Sequence, residues 1–501
     1  MASMWNGQSS ILSDEGYMTL IIVLAVTVLW LLWSASSYFR NRNQLPLPPG
    51  PWGFPFIGQT FSYILASGTA DGSRQWIQKQ ITKYGPIFKW RLMGNWVVML
   101  EQPEGNKFIF QSEGTLNHIL WPSAISTLHG PESLITTFGE QHKLVRRQLN
   151  RFFDHSAMTR YLDGLNQNAV RHFTNHWQGK KQVVALDMTN LYTFSTICNM
   201  MLTIEEGLLM DKFLVNCGNW ARGLMCLPIN LPGFKYYEAH KARQVVFEML
   251  DRLLEQRRRE IAEDHLMEVE KIDVLNSLLT VPDEKGNLLP DSCIKDNFLL
   301  ILLAGYDTSS RTLALTIYYI AKNPSVYEEI IKEHKAIMEG QRRSGKDDDD
   351  ELSMEDISAM KYTWSAIKEV IRLNPAAPGG FRKNVTDLEY KGYHIPKGWL
   401  MMWNNQHSHY NPEYFKEPLK FDPSRWKDPP VPFTYLPFGG GPHICLGNEL
   451  AKMEMLIFMQ HLVKRYSWSL VDASSNEVII RDPFPRLPNK TLITVKQIVN
   501  F

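Results

Sequence analysis

A single cysteine at the end of a glycine-rich run constrains this chain more than any other feature. Pro437-Phe438-Gly439-Gly440-Gly441-Pro442-His443-Ile444-Cys445-Leu446-Gly447 leads straight into helical apolar spacing, which predicts a helix over Asn448–Tyr466. Consecutive glycines let a backbone lie flat against a large planar ring. A thiol delivered to a helix N-terminus meets the helix dipole and loop amides, which favour the thiolate. A thiolate held this way is a good axial ligand for haem iron. Two other readings stand beside that one. A phosphate loop would carry Lys-Ser/Thr after the glycines and a strand before them, and neither is clear here. A structural turn with an inert thiol would need nothing more.

Composition removes several function classes. Among 501 residues, 44% are hydrophobic and 21% charged, which excludes wholesale disorder. Lys+Arg 53 against Asp+Glu 52 leaves a net charge of +1, so no global basic field argues for nucleic acid. The five cysteines (Cys198, Cys217, Cys226, Cys293, Cys445) are odd in number and widely spaced, with no C-x-x-C. That pattern suits buried thiols in a reducing compartment better than a disulfide framework or a zinc site. Fifteen Trp and 24 Phe suit a large apolar interior or an apolar ligand.

The N-terminus reads as a membrane anchor. Gly16 to Phe39 carries no charge and Tyr17–Trp33 is almost wholly apolar, long enough to cross a bilayer as a helix. A cleaved signal peptide is the rival, with Ser34-Ala35-Ser36 as a mimic of a cleavage site, but the first 16 residues hold no Lys or Arg. Arg40 and Arg42 follow the apolar run, which by the positive-inside rule keeps the body cytosolic. The expected organisation is a lumenal tail over residues 1–16, an anchor helix over 17–39, a basic and Pro-rich linker over 40–52, and one catalytic unit over 53–501. Pro46, Pro48, Pro49 and Pro51 make the linker a stiff extended spacer.

Within the body, Ile87–Leu92 and Trp96–Leu100 read as a hairpin joined by Met93-Gly94-Asn95, and Leu388–Ile395 as a second with Lys391-Gly392 as its turn. Helical spacing predicts helices over Tyr236–Asp264, Tyr327–Met338 and Asp291–Ala321. The last is apolar on every side at Phe298–Ala304, and its flanking Asp296 and Asp307 place it in a protein core rather than a membrane. The run from Lys346 to Glu351 lacks the alternation and glycine of a calcium loop and reads as a solvated loop.

The cysteine segment resembles the haem-binding signature of the cytochrome P-450 family, F-x-x-G-x-R-x-C-x-G. Phe438, Gly441, Cys445 and Gly447 fill it. His443 stands where the family usually has an Arg that contacts a haem propionate; a His can donate there as well, and sterol demethylases of the family carry one. Glu369-Val370-Ile371-Arg372 resembles the family's E-x-x-R, whose two side chains share a helix face. Arg425, in Phe421-Asp422-Pro423-Ser424-Arg425-Trp426, would complete a buried structural triad with Glu369 and Arg372. Ala304-Gly305-Tyr306-Asp307-Thr308-Ser309 resembles the family's oxygen-activation motif, with Asp307 and Thr308 supplying a proton route and Gly305 letting the helix turn open. Arg146 and His142 lie where the family often has W-R/K-x-x-R, and Arg382 matches another propionate-binding position.

The resemblance spans nearly the whole chain. It implies a mainly α fold with small β-sheets (α+β), a single large helix-rich unit, and haem b ligated by the Cys445 thiolate. It also implies a monooxygenase using dioxygen. No G-x-G-x-x-G or flavin segment is present, so electrons come from NADPH through a separate cytochrome P-450 reductase, met by a patch of Lys143, Arg146 and Arg147. The family's membrane-bound members imply a single-pass protein of the endoplasmic reticulum. Met360–Trp364, Leu227–Phe234 and Pro483–Pro488 resemble plant members that oxidise triterpenoids, taxane diterpenoids and brassinosteroids. Candidate pocket residues for such an apolar substrate are Leu120, Trp121, Leu300, Ala304, Ala377 and Leu487. A haem-thiolate isomerase or dehydratase that does without dioxygen, and a non-catalytic haem- or sterol-binding membrane protein, are the alternative functions.

Overall fold

The computed structural model describes residues 45–498 apart from 52, 54–56, 225, 264–272, 283–284, 344–350, 473–477 and 482–483. Before residue 45 it describes only Met18, Ile21, Leu24, Ala25, Thr27 and Val28, all helical and exposed. The anchor expected over 17–39 therefore lies mostly outside the described residues, as do Asp264, Pro483 and nearly all of the acidic run. Among the described residues no helix is long and apolar enough to cross a membrane.

Five helices set the site: α1 (Gly139–Asn150), α2 (Ala185–Leu202), α3 (Asp291–Lys322), α4 (Lys361–Leu373) and α5 (Asn448–Arg465). The chain is helix-rich with small sheets, as expected. The largest sheet orders β1 (Ile87–Leu92), β2 (Asn95–Leu100), β3 (Asn117–Ile119), β4 (Gly379–Asn384) and β5 (Leu400–Asn404) as β1-β2-β5-β4-β3. The first hairpin turns on two residues rather than three, because Asn95 already pairs with Leu92. Met93 and Gly94 both take positive φ, 48° and 80°, and Lys391 and Gly392 repeat this at 47° and 80°. Two left-handed residues match the right-handed twist of the paired strands.

The all-round apolar stretch of α3 is core, as its flanking acids indicated: Phe298 to Leu303 are all buried. Its neighbour α2 sends hydroxyls onto it. Thr193 donates to the Tyr306 carbonyl at 3.1 Å and Thr189 to the Ser310 carbonyl at 2.9 Å. A Cβ on Gly305 would sit 2.5 Å from Ile197 Cδ1. Gly305 is thus a close-packing residue between α2 and α3, and α3 runs unbroken through it. The expected opening of the turn at Gly305 is absent because that face is filled by Ile197.

The proline strip is extended but docked. The Lys89 N–H donates to Pro49 at 2.7 Å and its ammonium to Pro48 at 2.5 Å, while the His394 N–H donates to Pro46 at 2.9 Å. Residues 46–49 therefore belong to the edge of the body rather than standing off as a spacer.

Candidate functional site

The loop before α5 closes on itself. The Cys445 N–H donates to Phe438 O at 2.9 Å, Gly439 N–H to Leu436 O at 3.1 Å and Ile444 N–H to Gly441 O at 3.1 Å. A Cβ at Gly440 would lie 2.9 Å from the Phe110 ring, and Gly441 combines φ +70° with a would-be Cβ 2.9 Å from Phe110 O. The glycines admit the helix Pro103–Gln111 beside the cysteine loop. Cys445 keeps an exposed face despite its place in the body of the fold. Burial still raises its thiol pKa, opposed by a Gly447 backbone hydrogen bond and by the Arg146 charge. The helix terminus alone therefore does not yield a thiolate; coordination to a metal ion would remove the proton.

A cluster of charged and aromatic groups flanks the loop. Arg382 Nε lies 3.0 Å from Glu113 Oε1, and His443 Nδ1 lies 2.6 Å from the same oxygen. All three side chains are buried. His443 Nε2 also donates to Thr137 O at 3.0 Å. His142 stacks on His443 with ring centroids 3.8 Å apart, and burial pulls its pKa down to about 4, so it is neutral near pH 7. Arg146 donates to Ile444 O at 2.5 Å and to Asn150 at 3.0 Å. Within this cluster Glu113 Oε1 and Oε2, Arg382 Nε, His443 Nδ1 and His142 Nε2 are buried without an aligned hydrogen bond. Close ionic distances with unaligned donors mark a site whose polar capacity is not used up internally.

On α3, Thr308 donates to Ala304 O at 2.7 Å, the back-bond anticipated for it. Ala304 is exposed although Leu303 and Tyr306 beside it are buried. Asp307 is buried and tied to Arg311, Nε to Oδ1 at 2.6 Å. No motif names Arg311, although its position four residues after Asp307 is a readable helical signal.

Glu369, Arg372 and Arg425 come together as expected. Arg372 donates to both Glu369 oxygens at 2.9 and 2.8 Å, and Arg425 Nε to Oε1 at 2.8 Å. Trp426 Nε1 and the Asp422 N–H complete the carboxylate's shell at 3.2 and 3.1 Å. His409, which no motif flagged, joins this unit to the cysteine loop. Its Nε2 accepts from Leu436 N–H at 3.1 Å, so its Nδ1–H donates to Arg372 O, also at 3.1 Å.

The six candidate pocket residues divide. Ala304 and Ala377 are exposed, and Leu120 and Trp121 are partly buried. Leu300 is buried in the main core, and Leu487 packs with Leu315 and Val370 in a separate cluster. Of the basic patch, Lys143 and Arg147 are exposed while Arg146 turns to the cysteine loop; Lys143 pairs with Glu140 at 2.7 Å. One further set, His172, His176 and Glu206, has metal-binding spacing. Trp177 Nε1–H already occupies His172 Nε2 at 3.0 Å, which leaves the neutral ring's proton on Nδ1 and spends it as a ligand.

A match to the cytochrome P450 family spans residues 48–495. A beta-amyrin 28-monooxygenase of Saponaria officinalis is 34% identical over 471 residues, 93% of this chain and 94% of that protein. A taxane 13-alpha-hydroxylase of Taxus cuspidata is 35% identical over 456 residues, 90% and 92% of the two chains. Among solved structures, retinoic acid-bound cyanobacterial CYP120A1 superposes with a TM-score of 0.78 at 27% identity, covering 91% of this chain and 100% of that one. Fold and site together define a haem-thiolate enzyme. The chain belongs to the cytochrome P450 family and is a monooxygenase of it, using dioxygen and electrons supplied by a reductase. The donor set fits haem: a thiol with one open face, a cationic cluster with unaligned donors for carboxylates, and an exposed small residue on the buried helix α3.

Proposed function

We propose that the protein is a membrane-anchored hydroxylase of a cyclic terpenoid, a triterpenoid or a taxane-like diterpenoid, with Cys445 as the haem ligand. The carrying observation is the cysteine loop, with an open thiol face beside the cluster of Arg382, His443 and Arg146. Beta-amyrin and taxane oxygenases at 34–35% identity over 90% or more of the chain support the substrate class. The apolar Ala304 and Ala377 give such a substrate a non-polar wall.

Haem supplies the activation of dioxygen and insertion of one of its atoms into a C–H bond, the other leaving as water at the expense of NADPH. The remaining work falls to side chains. Arg382, His443 and Arg146 hold the propionate edge. Thr308 presents its hydroxyl beside Ala304 and at rest donates it to Ala304 O. Asp307, once released from Arg311, takes up a proton from solvent and passes it to the Thr308 hydroxyl, which gives up its own proton on the other side. Ala304, Ala377, Leu120 and Trp121 shape the apolar space and keep water from the reacting carbon. The apolar segment over 17–39 anchors the chain in the endoplasmic reticulum membrane with the catalytic unit in the cytosol. Lys143 and Arg147 face an acidic reductase surface.

Two measurements test this. The reduced protein with carbon monoxide should show a strongly red-shifted Soret band that Cys445→Ala abolishes; a band surviving in Cys445→Ala removes the ligand assignment. Turnover of beta-amyrin and taxane-type diterpenes with NADPH and reductase should yield hydroxylated products. Product formation without NADPH or dioxygen would favour an isomerase instead.

A further inference from the structure

The Arg382–His443 pair assigned to the propionate edge is not free-standing: a carboxylate that no sequence motif flags lies against both members. Glu113 Oε1 lies 3.0 Å from Arg382 Nε and 2.6 Å from His443 Nδ1, with all three side chains buried. The fold builds this contact from distant segments. Ile119 in β3 registers against Arg382 in β4, and Glu113 forms an isolated bridge with Asn117, two residues earlier in the same strand. The cysteine loop closes the third side, where a Cβ on Gly441 would lie 3.2 Å from Glu113 Oε2.

We infer that Glu113 is the positioning residue of the haem edge. It fixes Arg382 through Nε while Nη1 donates to Phe381 O at 3.1 Å, so that Nη2 is the amino group for a ligand carboxylate to meet. It fixes the His443 ring from the Nδ1 side while Thr137 O fixes it from the Nε2 side. Held from both sides, the His443 ring is fixed in plane beside Arg382, and Glu113 is the group the two share. Burial raises the pKa of this carboxylate, yet His443 and Arg382 together bring it below the ordinary value. The inference rests on the haem assignment of the preceding section and concerns only which residue orients the propionate contacts.

The test uses the full-length holoprotein. Haem transfer to excess apomyoglobin is followed by absorbance for the parent, Glu113→Gln, Glu113→Ala, Arg382→Ala and the Glu113→Gln/Arg382→Ala pair. Glu113→Gln keeps the shape and removes the charge, and should speed haem loss about tenfold, the size of one charge-assisted hydrogen bond. The Glu113→Gln change should have a smaller effect in the Arg382→Ala background than in the parent, because the share that acts through Arg382 is already gone and only the share through His443 remains. Removing a negative charge near the haem edge should also raise the ferric/ferrous midpoint potential, which a merely structural residue would leave in place. Unchanged haem loss and potential in both Glu113 variants would overturn the inference, as would full additivity with Arg382→Ala. The parent's carbon monoxide spectrum separates the two readings. A parent lacking thiolate-ligated haem sinks the proposed function, whereas a normal parent with unaffected Glu113 variants sinks only this inference.

Discussion

The Cys445 N–H donates to the carbonyl of Phe438 at 2.9 Å, and the seven-residue step between them is what the glycines make possible. Phe110 packs against Gly440 so closely that an added Cβ would lie 2.9 Å from its ring. Gly440→Ala should therefore cost about 1–3 kcal/mol through overpacking. Its readouts are haem content and thermal midpoint. Trimming the obstacle with Phe110→Leu should restore part of both; no rescue would mean that the glycine serves backbone freedom instead.

Asp307 and Thr308 are expected to differ in what they spoil. Thr308→Ala removes the hydroxyl bonded to Ala304 O and should leave NADPH consumption running while product per NADPH falls. Asp307→Asn breaks the pairing with Arg311 and should slow turnover itself, on the order of 10²-fold. Stopped-flow NADPH oxidation alongside product quantification distinguishes them. A Thr308→Ala enzyme with fully coupled turnover would contradict the role given to that hydroxyl.

Glu369 is wholly buried and accepts from Arg372, Arg425, Trp426 and the Asp422 amide. Removing the carboxylate strands two guanidinium groups, so Glu369→Ala should cost about 3–5 kcal/mol and yield little haem-loaded protein. The effect should reach Cys445 through His409 and Leu436. His409→Ala should reproduce a milder form of it, seen as faster loss of the carbon monoxide band on warming.

Three buried histidines make the fold acid-sensitive. Burial lowers His129, His172 and His409 each to about 3. In the unfolded chain these rings take up protons near pH 6.5, and in the fold not until about pH 3. Their stability contribution is thus complete above pH 6.5 and declines as the pH falls toward 3, by about 2 kcal/mol each at pH 5. Denaturant midpoints between pH 7 and 4 should fall accordingly, and His172→Gln should flatten the slope. An unchanged slope in that variant would show that His172 is not neutral in the fold.

Glu454 has the opposite dependence. Burial raises its carboxyl to about 8, against a Ser309 hydrogen bond that lowers it. Its contribution is complete below the unfolded value near 4.5 and is lost as the pH rises through 8. Glu454→Gln should therefore be more stable than the parent at pH 8 and no more stable at pH 4, as read by thermal unfolding at the two pH values.

Much of the frame was legible because its signals are local. The turn residues Met93-Gly94 and Lys391-Gly392, the helical spacing of α3, and the run of Gly-Gly-Gly before Cys445 each state a backbone requirement within a few residues. Glu369 and Arg372 are also local, one helical turn apart. The outcomes that differed all depended on what lies across a contact. Gly305 looked like a place for the helix to open and is instead the seat of Ile197. Residues 46–49 looked like a spacer and are hydrogen-bonded to Lys89 and His394.

By itself the sequence determined the order of elements, the turn types and the family's chemical residues, because periodicity, φ preferences and motif spacing are properties of neighbours along the chain. Tertiary structure alone decided which charges meet. Glu113 lies far from Arg382 and His443 along the chain and the three carry no mutual pattern, and only the register of β3 on β4 and the closure of the cysteine loop bring Arg382 and His443 to within 3.0 Å of Glu113. Burial then sets their energetics, since a charge withdrawn from water persists only where the fold has delivered its partner.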